Sequence, residues 1–426
     1  MTLSRLLSNR WAQRLLLVTG GALLAVLVAE LALAALGMSF PNFYQPDLYC
    51  GTALRPGAEG WYTHEGKSYV RINQDGLHDR DHTRTKPPHT LRIAILGDSY
   101  AEAFQVPMGM SFWAVLEREL ARNPVLKGER AEVINFGVSG YGTALELLTL
   151  RHRVWKYSPD IVLLSFLTGN DISDNSYALN HEDRTPYFVH RNGSLLLDDS
   201  YLEWFRSRQG PLARAYYSLL NHSRILRIFK EARYALDRRA RGAHQEAVAA
   251  RAGFSGEAGM SDMIYVEPRD PLWKEAWQIT EELLGIMNKE VAANNARFLV
   301  VTLSNGIQVR PDRAVREKFA RQLGVSDLFY PDRRIRAAGE RDGFPVLNLA
   351  PLLQAYADKH QIFLHGFGDA LGVGHWNAEG HAVAGRQIAE WIACLLKEQN
   401  GVPDGRLGGE PKVTDVAIRD CQVASE

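Results

Sequence analysis

Three short apolar runs with the same kind of ending constrain this chain most. Leu91 to Leu96, Ala131 to Phe136 and Ile161 to Phe166 are compact and mostly aliphatic, as buried strands are. Each stops at a glycine-bearing polar turn: Gly97-Asp98-Ser99, then Gly137 to Gly142, then Gly169-Asn170-Asp171. Between them, Phe112 to Arg122 and Ala144 to Tyr157 read as helices. Strands that alternate with helices imply a parallel sheet covered on both faces, an α/β fold. The alternation resumes with a helix from Trp273 to Asn294, a strand from Arg297 to Thr302 and a helix from Ala314 to Leu323. A strand from Pro345 to Leu349 and a last helix from about Ala378 to Lys397 complete it.

The rest of the chain frames this unit. Leu15 to Leu36 is apolar except for Thr19 and Glu30, and at ~1.5 Å per residue it can cross a hydrocarbon core. Arg5, Arg10 and Arg14 precede it and no Lys or Arg follows until Arg55, so the positive-inside bias places everything after it on the outer, periplasmic side. A cleaved signal peptide is the competing reading, since Ala32-Leu33-Ala34 resembles a cleavage site. The length of the run and Glu30 favour an anchor over residues 1–37. Residues 38–90 read as a loop-rich adaptor with short strands, with Ser68 to Ile72 alternating and Asn73 to Gly76 turning. Residues 91–400 form the α/β unit. It is interrupted at about 174–270 by an insertion with a hairpin at Asn192-Gly193 and a helical stretch from Pro211 to Arg251. That stretch carries Arg224, Arg227, Lys230, Arg233, Arg238, Arg239 and Arg241 beside Ile225, Leu226, Ile228 and Phe229. Its basic face suits either anionic lipid or solvent. The polar, glycine-rich residues 401–426 read as a mobile tail.

Composition excludes several classes. The 426 residues hold 49 Lys and Arg against 49 Asp and Glu, so the footprint of a nucleic-acid binder is absent. Cys50, Cys394 and Cys421 are odd in number and form no C-x-x-C. Cys50 with Cys421 is the expected pair in an oxidising exterior, and Cys394 reads as a core residue. His78-Asp79-Arg80-Asp81-His82 groups two histidines with two acids. Its spacing fits no helical zinc motif and Arg80 would repel a cation, so no metal and no cofactor is expected. No phosphate-binding lysine loop, Gly-x-Gly-x-x-Gly or Gly-x-Ser-x-Gly elbow occurs.

What remains is a set of strand-end residues. Ser99 sits where ligands bind on a parallel sheet, at a carboxyl edge. Gly140 and Asn170 follow the next two strands. With the Ser99 amide they make a candidate oxyanion hole, turn formation and capping being their plainer roles. Near the C-terminus, Asn377 can cap the last helix, which leaves His375 on the loop before it. His381 then falls inside the helix, a structural position, and His365 is a third candidate base.

The ordered set Gly-Asp-Ser, Gly, Gly169-Asn170-Asp171 and a late His resembles the SGNH (GDSL-like) hydrolase family. The resemblance spans Leu91 to Leu396, and Ile72 to Leu77 behind a membrane segment is similar to exported, anchored bacterial members. It implies a three-layer α/β/α sandwich around five parallel strands, flavodoxin-like, that hydrolyses esters or thioesters. It also implies Ser99 as nucleophile, Ser99, Gly140 and Asn170 as oxyanion donors, and His375 as base. One departure stands out: the family places Asp three residues before the base, where this chain has Gly372. Asp369 is the nearest upstream acid. Either it completes a triad, or a backbone carbonyl orients the ring of a Ser99–His375 dyad. The expected function is an acyl or acetyl esterase on a small-molecule or glycan ester outside the membrane. An O-acetyltransferase of surface polysaccharide and a non-catalytic glycan-binding scaffold are the competing readings.

Overall fold

The computed structural model describes residues 10–38, 40–233, 235–236 and 260–401. Arg5, Arg238, Arg239, Arg241, Cys421 and the tail from residue 402 lie outside them.

In chain order, β1 (Tyr44–Asp47) and β2 (Gly51–Leu54) form one hairpin, and β3 (Glu59–Tyr62) and β4 (Ser68–Arg71) a second. Then come β5 (Thr90–Gly97), β6 (Arg130–Asn135) and β7 (Ile161–Leu167), a hairpin of β8 (Tyr187–Arg191) and β9 (Ser194–Asp198), and finally β10 (Arg297–Leu303) and β11 (Val346–Asn348). Five of these make one sheet in the order β11-β10-β7-β5-β6, every neighbouring pair parallel. Helices cover both faces, so the expected three-layer α/β/α sandwich is what the chain forms.

Side-chain alternation along β5 explains the layers. Ile93 and Ile95 face one half of the core with helices Phe112–Arg122, Leu349–His360 and Ala378–Gly401. Ala94 and Leu96 face the other, with helices Thr143–His152, Pro271–Ala293 and Tyr330–Asp342. Each strand is thus buried on both sides, as parallel strands require. Two of these helices, Tyr330–Asp342 and Leu349–His360, were not expected from the sequence.

The adaptor is continuous with this core. Phe43, Leu54, Val70, Ile72 and Leu77 pack into the same half as Leu96 and Ile134. The His78 to His82 segment stitches it down. His78 Nδ1–H donates to the Glu102 carbonyl at 2.6 Å, and the Asp79 carboxylate accepts the Asn135 amide at 2.9 Å. His82 lies between Asp79 and Glu132. Glu132 also takes Arg92 Nε–H at 2.8 Å, and the rest of that fully buried guanidinium donates to the carbonyls of Thr83, Arg84 and Tyr157.

Arg10–Ala35 is one helix, long and apolar enough to cross a membrane, with no buried residue. The pairing expected of Cys50 is not formed. Cys50 is a free thiol buried against Leu145 and Thr149, where burial pushes it up to about 11. Cys394, half-buried on the last helix, is the disulfide-bonded cysteine.

Glu132→Ala leaves the buried Arg92 charge without its carboxylate. It should destabilise the protein by about 3 kcal/mol, whereas Glu317→Ala, on an exposed helix face, should leave stability nearly unchanged. Urea unfolding of the detergent-solubilised protein measures both; equal midpoints for the two variants would rule out the buried pair as a fold determinant.

Candidate active site

β5 ends at Gly97, and Asp98 caps the single-turn helix Ser99–Glu102 by accepting the Tyr100 amide at 2.9 Å. The cap presents Ser99, half-buried, at the carboxyl edge of the sheet. Its Oγ lies 2.8 Å from His375 Nε2.

His375 stands on the loop before the last helix, whose first amides, Glu379 and Gly380, are capped by Asn377 Oδ1 at 3.1 Å. Glu65, on the turn between β3 and β4, reaches across to this loop. Its Oε2 accepts His375 Nδ1–H at 2.5 Å and its Oε1 accepts the His375 amide at 2.8 Å. With Nδ1 donating to Glu65, Nε2 is left to accept the Ser99 hydroxyl proton. Burial alone would raise the Glu65 carboxyl. The hydrogen bonds from His375, and its charge, outweigh that and hold Glu65 below the ordinary glutamate value.

This corrects the expectation for Asp369. That residue is exposed on a turn, and the acceptor at Nδ1 is neither its carboxylate nor a backbone carbonyl. Gly372 explains why. Its φ is +86°, its amide donates to the His365 carbonyl, and a Cβ there would meet Arg310 and Phe363 at 2.9–3.0 Å. An acid cannot occupy the position without remaking the loop. Gly374 matters for a different reason, because a Cβ on it would overlap Glu65 Oε1 at 2.3 Å. The sequence signal available for Glu65 was indirect: Gly372 removed the local acid, so the acceptor had to arrive from elsewhere in the chain.

A buried relay fixes the loop. Trp376 Nε1–H donates to Ser304 Oγ at 2.9 Å, Ser304 donates to His365 Nε2 at 2.9 Å, and His365 Nδ1–H donates to the Gly374 carbonyl at 2.7 Å. The Tyr100 hydroxyl donates to that same carbonyl at 3.0 Å. Burial pushes His365 down to about 4, so it is neutral as the relay needs. His365 is thereby committed to structure. His381 is buried inside the last helix, its Nδ1 accepting the Phe112 amide, and burial pushes it down to about 3.

Because β5 lies between β6 and β7, the loops after those strands flank Ser99. Gly140 sits on the first with φ +78°. Asn170 begins the second, at the N-cap of helix Asp171–Asp174, yet its side chain makes no capping bond there. The two loops are tied together by Asn175 Oδ1, which accepts the Ala144 amide at 2.9 Å.

Acids gather beneath this edge. Glu102 accepts the Tyr44 hydroxyl at 2.9 Å and the Ser139 amide, and burial pushes it up to about 8. Burial likewise raises Asp98 to about 6 and Asp174 to about 8, and holds Glu146 and Asp171 well above the carboxylate range. Among the described residues no group of three or more His, Cys, Asp or Glu is placed to hold a metal ion. An open cavity of about 670 Å³ runs beside Gly140, with Tyr62, His64, Arg184, Lys230 and Glu231 in its walls.

No family model matches the sequence, and no curated protein matches it. Solved structures similar in fold include an acetyl xylan esterase, AlAXEase, at 12% identity and TM-score 0.35, covering 73% of this chain and 100% of that one. Another is an acetylxylan esterase from Geobacillus stearothermophilus, at 12% identity and TM-score 0.34, covering 71% and 93%. TesA matches at 12% identity and TM-score 0.32, covering 71% and 97%.

Glu65→Gln should lower kcat about 10³- to 10⁴-fold, since an amide fixes neither the tautomer nor the imidazolium, while Asp369→Asn should be silent. Steady-state kinetics on a chromogenic acetyl ester compares them, and a reversed ranking would return Asp369 to the site. Because the Glu65 carboxyl is held below its ordinary value, its contribution to stability is full at neutral pH. It is lost as pH falls through that lowered value. The gap in unfolding midpoint between wild type and Glu65→Gln should therefore close in acid.

Proposed function

We propose that this chain is a serine ester hydrolase of the SGNH type, in which Ser99, His375 and Glu65 act as nucleophile, base and orienting acid. The observation that carries this reading is the unbroken line from Ser99 Oγ through both ring nitrogens of His375 to the Glu65 carboxylate. His375 takes the hydroxyl proton as Ser99 attacks the ester carbonyl, and returns it to the leaving alcohol. The amides of Ser99 and Gly140 and the side chain of Asn170 receive the developing oxyanion, and the absence of a cap bond at Asn170 supports that role. Water, activated by the same histidine, then releases the acyl group.

The site works on the outer, periplasmic side of a membrane that Arg10–Ala35 anchors. Arg10 and Arg14 at one end of the run, the lack of basic residues at the other, and a disulfide at Cys394 support this. The substrate is a small-molecule or glycan ester. The open cavity beside Gly140 favours a second reading, O-acetyl transfer to a sugar hydroxyl, because it leaves room for an acceptor. The non-catalytic reading rested on Gly372, and Glu65 removes that support.

Purified full-length protein should react with a fluorophosphonate serine probe and hydrolyse acetyl esters. Ser99→Ala should abolish labelling and lower kcat by at least ~10³-fold. Undiminished hydrolysis by folded Ser99→Ala would remove the assignment. Asn170→Ala should lower kcat by about 10²-fold or more with little change in KM, and a pure KM effect would make it a binding residue. Adding an acceptor glycan separates the two reactions, since a transferase makes acetylated sugar faster than free acetate.

A further inference from the structure

We infer that the helical pair at residues 211–236 rests on the outer leaflet of the bilayer that Arg10–Ala35 enters, tethered there by Glu30. This rests on reading that helix as a membrane span.

The tether is visible. Glu30 interrupts an apolar run, where a lone carboxylate is costly to bury. Its carboxylate accepts Ser223 Oγ–H at 2.6 Å, the Arg224 amide at 2.8 Å and the Ile225 amide at 3.1 Å. Those groups open the helix that runs through residues 224–233, so the acid caps a helix N-terminus and complements its dipole. Arg224 Nη1 also donates to the Met38 carbonyl, and Lys230 Nζ to Asn42 Oδ1 at 2.6 Å. Asn42 in turn donates to Asn221 Oδ1. The pair is therefore bound along the segment that leaves the anchor.

Depth and composition then agree on the occupant. At about 1.5 Å per residue, Glu30 lies roughly 9 Å inside the Leu36 end of the run. Interfacial helices bury their apolar face about 5–10 Å into the headgroup boundary, so a helix starting at Glu30 begins at that level. The pair exposes Leu212, Tyr216 and Leu219 on one helix and Leu226, Phe229 and Leu236 on the next, at helical spacing, Leu212 being 88% and Phe229 69% exposed. Arg224, Arg227, Lys230 and Arg233 accompany them against a single acid, Glu231. Apolar stripes beside cations, fixed to the outer end of an anchor, fit a bilayer carrying anionic lipid.

The test uses full-length protein in vesicles of phosphatidylcholine and phosphatidylglycerol, with the buried Cys50 replaced by Ala. A spin label is placed through Phe229→Cys, or through Tyr69→Cys as a water-exposed reference on β4. Paramagnetic accessibility should give a several-fold higher oxygen-to-nickel ratio at the Phe229 site than at the Tyr69 site. Glu30→Leu should bring the Phe229 site down to the reference ratio while the protein still floats with the vesicles. A Phe229 ratio equal to the reference overturns the docking, whether the face is solvated or covers a second copy, which spin–spin broadening would reveal. An unchanged ratio in Glu30→Leu overturns the tether. Protein that fails to float with vesicles overturns the span itself and the proposal with it, and that outcome is distinct from a floating protein with a wet label.

Discussion

One carboxylate holds this site together. Glu65 grips His375 twice, at the ring and at the amide, and so fixes both the loop and the imidazole tautomer. Without it the Nδ1 proton has no acceptor, and Nε2 is no longer committed to the serine. The grip depends on Gly374 leaving room for the carboxylate and on the β3–β4 hairpin being held down. Packing supplies the second condition: Val70 and Ile72 are buried in the same core half as Phe104, and Ser68 Oγ donates to the Phe104 carbonyl.

The sheet order does the rest of the positioning. A serine at the end of the strand between β6 and β7 is flanked by the loops that carry Gly140 and Asn170, because the neighbouring strands deliver both. The cost of that convergence is an edge crowded with acids. The structure buries Glu102, Glu146, Asp171 and Asp174, and burial raises their pKa values and so favours the uncharged acid.

How much of this the sequence disclosed follows from distance along the chain. The placement of Ser99, Gly140 and Asn170 after strands and of His375 before a capped helix was legible, because those are local patterns. The sheet was legible for the same reason. Glu65 was not, because it is 310 residues from its partner and sits on a turn whose composition is ordinary. Helix Tyr330–Asp342 was not legible because it carries four arginines and buries a carboxylate, Asp332, beside only Pro331, Ile335, Ala338 and Gly339. The Cys50 pairing failed because cysteine parity says nothing about burial, and Cys50 points into Leu145 and Thr149.

The division at residue 90 between adaptor and α/β unit is a change of pattern in sequence but not a boundary in structure. Everything before it that the structure ties to the sheet is part of the site's frame. Glu65 supplies the imidazole's acceptor, Tyr44 satisfies Glu102, and His78 and Asp79 cap the ends of helix Ser99–Glu102 and of β6. A chain begun at residue 91 would keep the five strands and lose all of these partners at once. Burial without them is unfavourable for Glu102 and for the Asn135 amide. The adaptor also touches the helix at residues 224–233, where Glu231 Oε1 lies 3.4 Å from His64 Nδ1, one residue from Glu65. That contact is partly exposed and weak in itself. What it does is geometric, since it places the turn that carries Glu65 against the same helix that Glu30 caps. Among the described residues, helix Arg10–Ala35, the helix at 224–233 and the His375 loop are thus joined through the adaptor by one run of contacts.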